Sequence, residues 1–197
     1  MNKKSVIFLG FGTSGRNVSL KSFPVWTASD WYTFLPAVKP ARIYQIHDRI
    51  PAPANGRYVG LKEKCELSDA LIVTTRDLGF SKQHIFDIEE TAAKWGYKFF
   101  VSSYSYMFAD AIREGVEKIY MVGIDLISAE YRTQVPGTLY NIDIARAHGI
   151  EVVCPKEADW RVNKKLVNWA AIEDGISLLY EEVGGNLEII KITEGCF

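Results

Sequence analysis

The chain has 197 residues, 48% of them hydrophobic and 13% aromatic, which is ample for one core, so a single domain over 1–197 is expected. Lys and Arg number 23 against 24 Asp and Glu, a net charge of −1 that leaves no global field to steer the chain toward nucleic acid or an acidic membrane. Its three cysteines, Cys65, Cys154 and Cys196, are odd in number, far apart and never in C-x-x-C spacing, which argues against a disulfide framework and a zinc site. No metal ligand is therefore nominated, and a reducing, cytoplasmic setting is expected. Met1 to Lys4 is basic, but the apolar run Val6 to Leu9 stops at Gly10, too short for a signal segment or a membrane span.

In chain order, the first element is a buried strand within SVIFLGFGTSGRN, residues 5 to 17. It runs into Gly10, Gly12 and Gly15 at the spacing G-x-G-x-x-G, the pattern of a loop that cradles phosphate at a helix N-terminus. A nicotinamide dinucleotide site asks also for a full crossover helix and then an acid at the end of the next strand. Asp30 supplies the acid. Only eight residues separate Gly15 from Pro24, about two helical turns, so the helix is short for that use. Three readings stay open: a nicotinamide site, glycines that merely permit a tight turn, and another nucleotide or nucleotide-sugar at the same edge.

Further short β-branched runs follow at Val25 to Thr27, Ile43 to Ile46, Leu71 to Thr74, Phe99 to Ser102, Ile119 to Val122 and Ile150 to Val153. Helical stretches lie between them: Ser81 to Trp95, Ser105 to Glu114 and Thr138 to His148, each with a glycine just beyond its end. Such alternation predicts a mainly parallel α/β sheet with helices on both faces. A C-terminal helix, about Lys164 to Glu182, is expected to stop at Gly184-Gly185, with an edge or hairpin strand at Leu187 to Ile192. Two proline-marked loops, Pro51 to Gly60 and Ser128 to Gly137, are candidate lids.

In open α/β sheets ligands bind beyond the carboxyl ends of the strands. The polar residues just after each strand are therefore the candidates. In the glycine loop Thr13 and Ser14 can donate hydrogen bonds to a phosphate. Arg16 can clamp it, or be a solvated helix residue, and Asn17 lies beside it. Asp30 follows the second strand, Ser102 and Ser103 a later one. His47, after RIYQI, could be a general base held by Asp48, a ligand donor, or a structural strand-end residue. Asp125, in MVGID, must cap the next segment or face the cleft. Glu130, Tyr131 and Gln134 then form either a lid that closes on ligand and acceptor or a solvated loop.

The block SSYSYMFADAIREGVEKIYMVGIDL, from Ser102 to Leu126, carries a resemblance. A serine-rich turn opens a helix, a glycine ends it, and the next strand closes in G-[IV]-D. With the glycine loop, it resembles the Rossmann-like superfamily of family-42 sialyltransferases and archaeal hydroxymethylpterin diphosphokinase-like proteins. Small bacteriophage proteins of unassigned activity look similar, including Glu130, Tyr131 and Gln134 after the aspartate. The resemblance spans about residues 5 to 155. It implies a single Rossmann-like domain in which Gly10, Gly12 and Ser14 approach the nucleotide, Ser102 and Ser103 contact it, and Asp125 shapes its pocket. The sialyltransferases place tyrosines soon after the aspartate and a catalytic histidine downstream; here Ile127 stands two residues past Asp125, and no histidine follows His148.

The expected function is thus a nucleotide- or nucleotide-sugar-dependent transferase that moves a glycosyl or diphosphate group to a hydroxyl acceptor. His47 or Asp125 would accept the proton. The expected partner is a small nucleotide ligand, with no membrane; a nucleic-acid acceptor stays open without help from the net charge. Two alternatives are a non-catalytic nucleotide-binding protein and an NAD-dependent oxidoreductase using Asp30 on a ribose.

Overall fold

A computed structural model describes residues 4–12, 23–95, 100, 102–126 and 134–154, and the strand backbones at 165–167, 176–183 and 186–194. The strands are β1 (Ser5–Leu9), β2 (Val25–Ala28), β3 (Arg42–Gln45), β4 (Leu71–Thr74), β5 (Gln83–Ile85), β6 (Lys118–Val122) and β7 (Glu151–Val153). Between them lie helices α1 (Trp31–Phe34), α2 (Leu61–Leu67), α3 (Ile88–Trp95), α4 (Ser103–Arg113) and α5 (Val135–Ala147). The seven strands form one sheet in the order β5-β4-β3-β2-β1-β6-β7, and every pairing is parallel. The chain builds outward from β1 in one direction through β5, then returns to the other side of β1 with β6. That reversal makes the β1/β6 junction the switch point of a doubly wound, Rossmann-like sheet, where a crevice opens at the carboxyl edge.

Strand periodicity sorts the core. Val6, Phe8, Trp26, Tyr44, Val73, Ile119 and Met121 face α3, α4 and α5, while Ile43 and Ile72 pack with Trp31, Leu61 and Cys65 of α1 and α2 on the opposite face. Helices on both faces are thus borne out. The direction of α4 is fixed by its C-terminal end, where Glu114 pairs with Arg42 at the start of β3 (2.7 Å) and its carbonyl accepts from Lys4 before β1 (2.6 Å). At 11 residues α4 is about 16 Å long, so its N-terminus reaches the carboxyl edge. Buried Asp110 of α4 binds Arg42 (3.2 Å), Arg113 (2.7 Å) and the Tyr44 hydroxyl (2.9 Å), while Arg42 also stacks over Trp26.

Four expectations change. Of the strand expected over Phe99 to Ser102, Phe100 and Ser102 are described, and neither lies in a strand. Where the helix expected over Lys164 to Glu182 is described, the chain is strand instead: β8 (Lys165–Val167) and β9 (Ile176–Val183), with β10 (Asn186–Glu194), form a separate antiparallel sheet in the order β10-β9-β8. Val183 at the end of β9 pairs with Asn186 at the start of β10, so β9 does not end a helix; Gly184-Gly185 lies outside the described residues. A register shift between Ile189 and Lys191 accounts for the imperfect alternation of β10. The helix expected from Ser81 is two elements, β5 and α3, because Asp87 interrupts it and its carboxylate accepts from the Glu90 amide (2.8 Å) as an N-cap. Helix α5 starts at Val135, with Pro136 and Gly137 inside its first turn rather than closing a loop.

Candidate functional site

At the switch point the β1/β6 pairing continues beyond the strands. The Gly10 amide donates to the Val122 carbonyl and the Gly12 amide to the Gly123 carbonyl, both at 2.7 Å. Side chains have no room here. A Cβ on Gly10 would collide with the Gly123 carbonyl and lie 2.7 Å from the Tyr104 hydroxyl, and one on Gly12 would collide with the Asp125 carboxylate. Gly123 has φ +68° and would meet the Gly10 carbonyl oxygen at 2.6 Å. The glycines therefore let the two loops and Asp125 close on one another, a close approach that only residues without a side chain permit. Asp125 itself is buried.

Tyr104 brings the first turn of α4 to the same place. Ser102, just before it, is extended (φ −155°, ψ 166°) at the N-cap position, yet its hydroxyl caps nothing. That oxygen is buried and has no hydrogen-bond partner. Ser103 is the first helical residue. Gly10, Gly12 and Asp125 are thus packed together, and the Tyr104 hydroxyl links them to the first turn of α4, a helix N-terminus whose amide dipoles favour an anion.

A second group lies one to two strands away. Asp30 is buried after β2 and is held by Arg57 Nε (2.6 Å) from the loop between β3 and α2. The same guanidinium donates to the Tyr58 hydroxyl (3.1 Å) and sits over the Tyr58 and Phe34 rings. Phe34 stacks on Phe11 of the glycine loop, centroids 4.8 Å apart. Tyr58 has φ +60°, a conformation uncommon for a bulky residue and suggestive of a constrained loop. Burial pushes the nearby Tyr32 hydroxyl up to about 12, helped by Cys65 and Asp30. The Cys65 thiol is likewise raised by burial to about 12, which leaves no thiolate for nucleophilic chemistry.

His47 is exposed and meets Tyr58 edge-on at 6.0 Å. Asp48 pairs with Arg76 (2.8 Å) rather than with His47, so the suggested His47–Asp48 dyad is not formed. His47 and Asp125 do share the carboxyl edge, but β2 and β1 stand between their strands. Three strand spacings put them about 14 Å apart, too far to act on one atom. Gln134 precedes α5, and its carbonyl accepts from both the amide and the hydroxyl of Thr138 (2.9 Å each). Thr13, Ser14, Gly15, Arg16, Asn17, Glu130 and Tyr131 lie outside the described residues. Arg57, Tyr58 and Phe34 were missed; the only signal for Arg57 and Tyr58 was the Pro51 to Gly60 loop, singled out by length and proline content rather than by its arginine, and Phe34 at the end of α1 carried none.

Among the described residues no group of three or more His, Cys, Asp or Glu side chains could hold a metal ion. No helix among them is long and apolar enough to cross a membrane. No family model matches the chain, and no curated protein matches it. Among solved structures it is similar to the sialyltransferase CstII from Campylobacter jejuni, determined in complex with a substrate analogue, cytidine-5'-monophosphate. The match has 16% identity and a TM-score of 0.48, and covers 77% of this chain and 79% of that one.

Proposed function

We propose that the protein is a nucleotide- or nucleotide-sugar-dependent group transferase that moves a glycosyl or diphosphate group to a hydroxyl acceptor. The observation that carries this reading is the buried, unpartnered hydroxyl of Ser102 at the N-terminus of α4, the helix whose Tyr104 hydroxyl approaches Gly10 at the switch point. A donor phosphate placed there would accept from the Ser102 hydroxyl and face the helix dipole, which would stabilise the charge that grows as the bond to the phosphate breaks. Asp125 is the better-placed proton acceptor for the incoming hydroxyl, because it stands against Gly12 at the switch point whereas His47 stands three strands away. The sequence resemblance to nucleotide-using Rossmann-like enzymes points the same way. An NAD-dependent oxidoreductase loses support, since the Asp30 carboxylate that would take a ribose hydroxyl is engaged by Arg57.

A thermal-shift panel of nucleoside monophosphates, diphosphates and their sugar conjugates tests the reading. At least one should raise the melting temperature of the protein. Ser102→Ala should weaken that ligand about tenfold or more, the cost of one hydrogen bond to a charged group. It should leave the unliganded melting temperature unchanged or higher, because no internal bond is lost. A full panel without a shift would refute nucleotide binding. A shift without consumption of ligand in the presence of hydroxyl acceptors would instead favour the non-catalytic nucleotide-binding protein.

A further inference from the structure

Gln45 and Thr74 are the last residues of β3 and β4, and they stand opposite one another in the parallel register. Ile43 and Ile72, two residues earlier on each strand, pack into the α1/α2 side of the core, so Gln45 and Thr74 face that side too. Both are fully buried. Gln45 Oε1 and Thr74 Oγ1 each lack a hydrogen-bond partner, although their Cα atoms sit on neighbouring strands about 4.8 Å apart. They do not bond each other. Gln45 Nε2 donates to the Arg49 carbonyl (3.4 Å), which leaves only the Oε1 end of the amide unpartnered. Buried polar atoms without partners cost stability, and a fold keeps them where a bound group satisfies them.

We propose that Gln45 and Thr74 form a subsite for the hydrogen-bonding edge of a nucleobase, reached when the loop over residues 46–60 lifts. This rests on the nucleotide reading above and adds where the base goes. The pair lies on the same carboxyl edge as Ser102 and Asp125, and between two and three strand spacings, about 12 Å, from β1. A nucleotide with its phosphate at the switch point spans that interval. The chemistry suits a base better than a phosphate: a carboxamide oxygen accepts only from a donor, and the threonine hydroxyl can donate or accept. A base edge with an N–H beside an acceptor satisfies both. Gln45, through the Arg49 carbonyl, is tied to the loop over residues 46–60.

Thr74→Val keeps the side-chain shape and removes the hydroxyl; Gln45→Leu removes the amide. Melting temperatures of the unliganded variants and calorimetric affinities for CMP, UMP, AMP and GMP would be compared with those of the wild type. Thr74→Val should melt at or above the wild-type temperature and bind the preferred nucleotide about five- to tenfold more weakly, the effect of one lost neutral hydrogen bond. Gln45→Leu should weaken it at least as much and flatten the preference among the four bases. A lower melting temperature for Thr74→Val, with affinities unchanged, would overturn the proposal and assign the gap to an internal water. Wild-type protein that binds none of the four would remove the nucleotide reading itself, whereas variants that bind as tightly as wild type would remove only the base subsite.

Discussion

Asp110 shows how one buried side chain can tie a helix to a sheet at a cost. Burial pushes its carboxyl above the usual range, against the pull of Arg113, the Tyr44 hydroxyl and Arg42. An acid raised in this way holds its proton longer in the folded chain than in the unfolded one. Its contribution therefore favours folding most below its unfolded value of about 3.9 and declines as pH rises through the folded value. Asp110→Asn should lower stability at neutral pH by about 1–3 kcal/mol, the cost of charge-assisted hydrogen bonds to Arg113 and Tyr44, because Arg42 keeps Glu114. It should also remove this group's share of the pH slope, so urea melts from about pH 4 upward would decline less steeply than wild type. Gly12 makes a second test. Gly12→Ala should cost about 1–3 kcal/mol, because its Cβ meets the Asp125 carboxylate. In an Asp125→Ala background the same change should cost about 1 kcal/mol less, measured by a double-mutant cycle.

Elements with one dominant period were legible in the sequence, and those decided by neighbours were not. β1, β2, β3, β4, β6 and β7 fall within a residue or so of their expected runs, because buried parallel strands read as continuous β-branched segments. The residues after them were placed on one edge for the same reason. The C-terminal segment misled because ISLLYEEV satisfies a helical pattern as well as a strand, and only its pairing with β10 decides between them. The Arg57–Asp30 pair was illegible, since it joins a loop to a strand end across 27 residues. The break between β5 and α3 did carry a signal, Asp87 three residues before Glu90, which the apolar spacing of the stretch masked. Asp87→Ala should therefore destabilise the protein by about 0.5–2 kcal/mol in chemical denaturation. A smaller effect would mean that α3 is held by packing alone.

For the molecule as a whole, the sheet should be unevenly stable. β1 is flanked on both sides and buried along four of its five residues, whereas β5 and β7 are edges with exposed positions. Amide exchange should be slowest in β1, β2 and β3 and fastest in β5 and β7; equal protection throughout would indicate that the sheet opens only as a unit. The central place of β1 also sets an order of assembly. It is made early, and β2 follows closely, but its other neighbour is β6, where Ser5 pairs with Lys118, more than a hundred residues later. At roughly 5–20 residues per second, a ribosome leaves that flank of Val6 to Leu9 without its partner for about ten seconds. During synthesis the most buried strand of the finished protein is thus an open apolar edge. The nascent chain up to β5 is the stage at which a holding chaperone, or a second nascent chain, would find something to pair with.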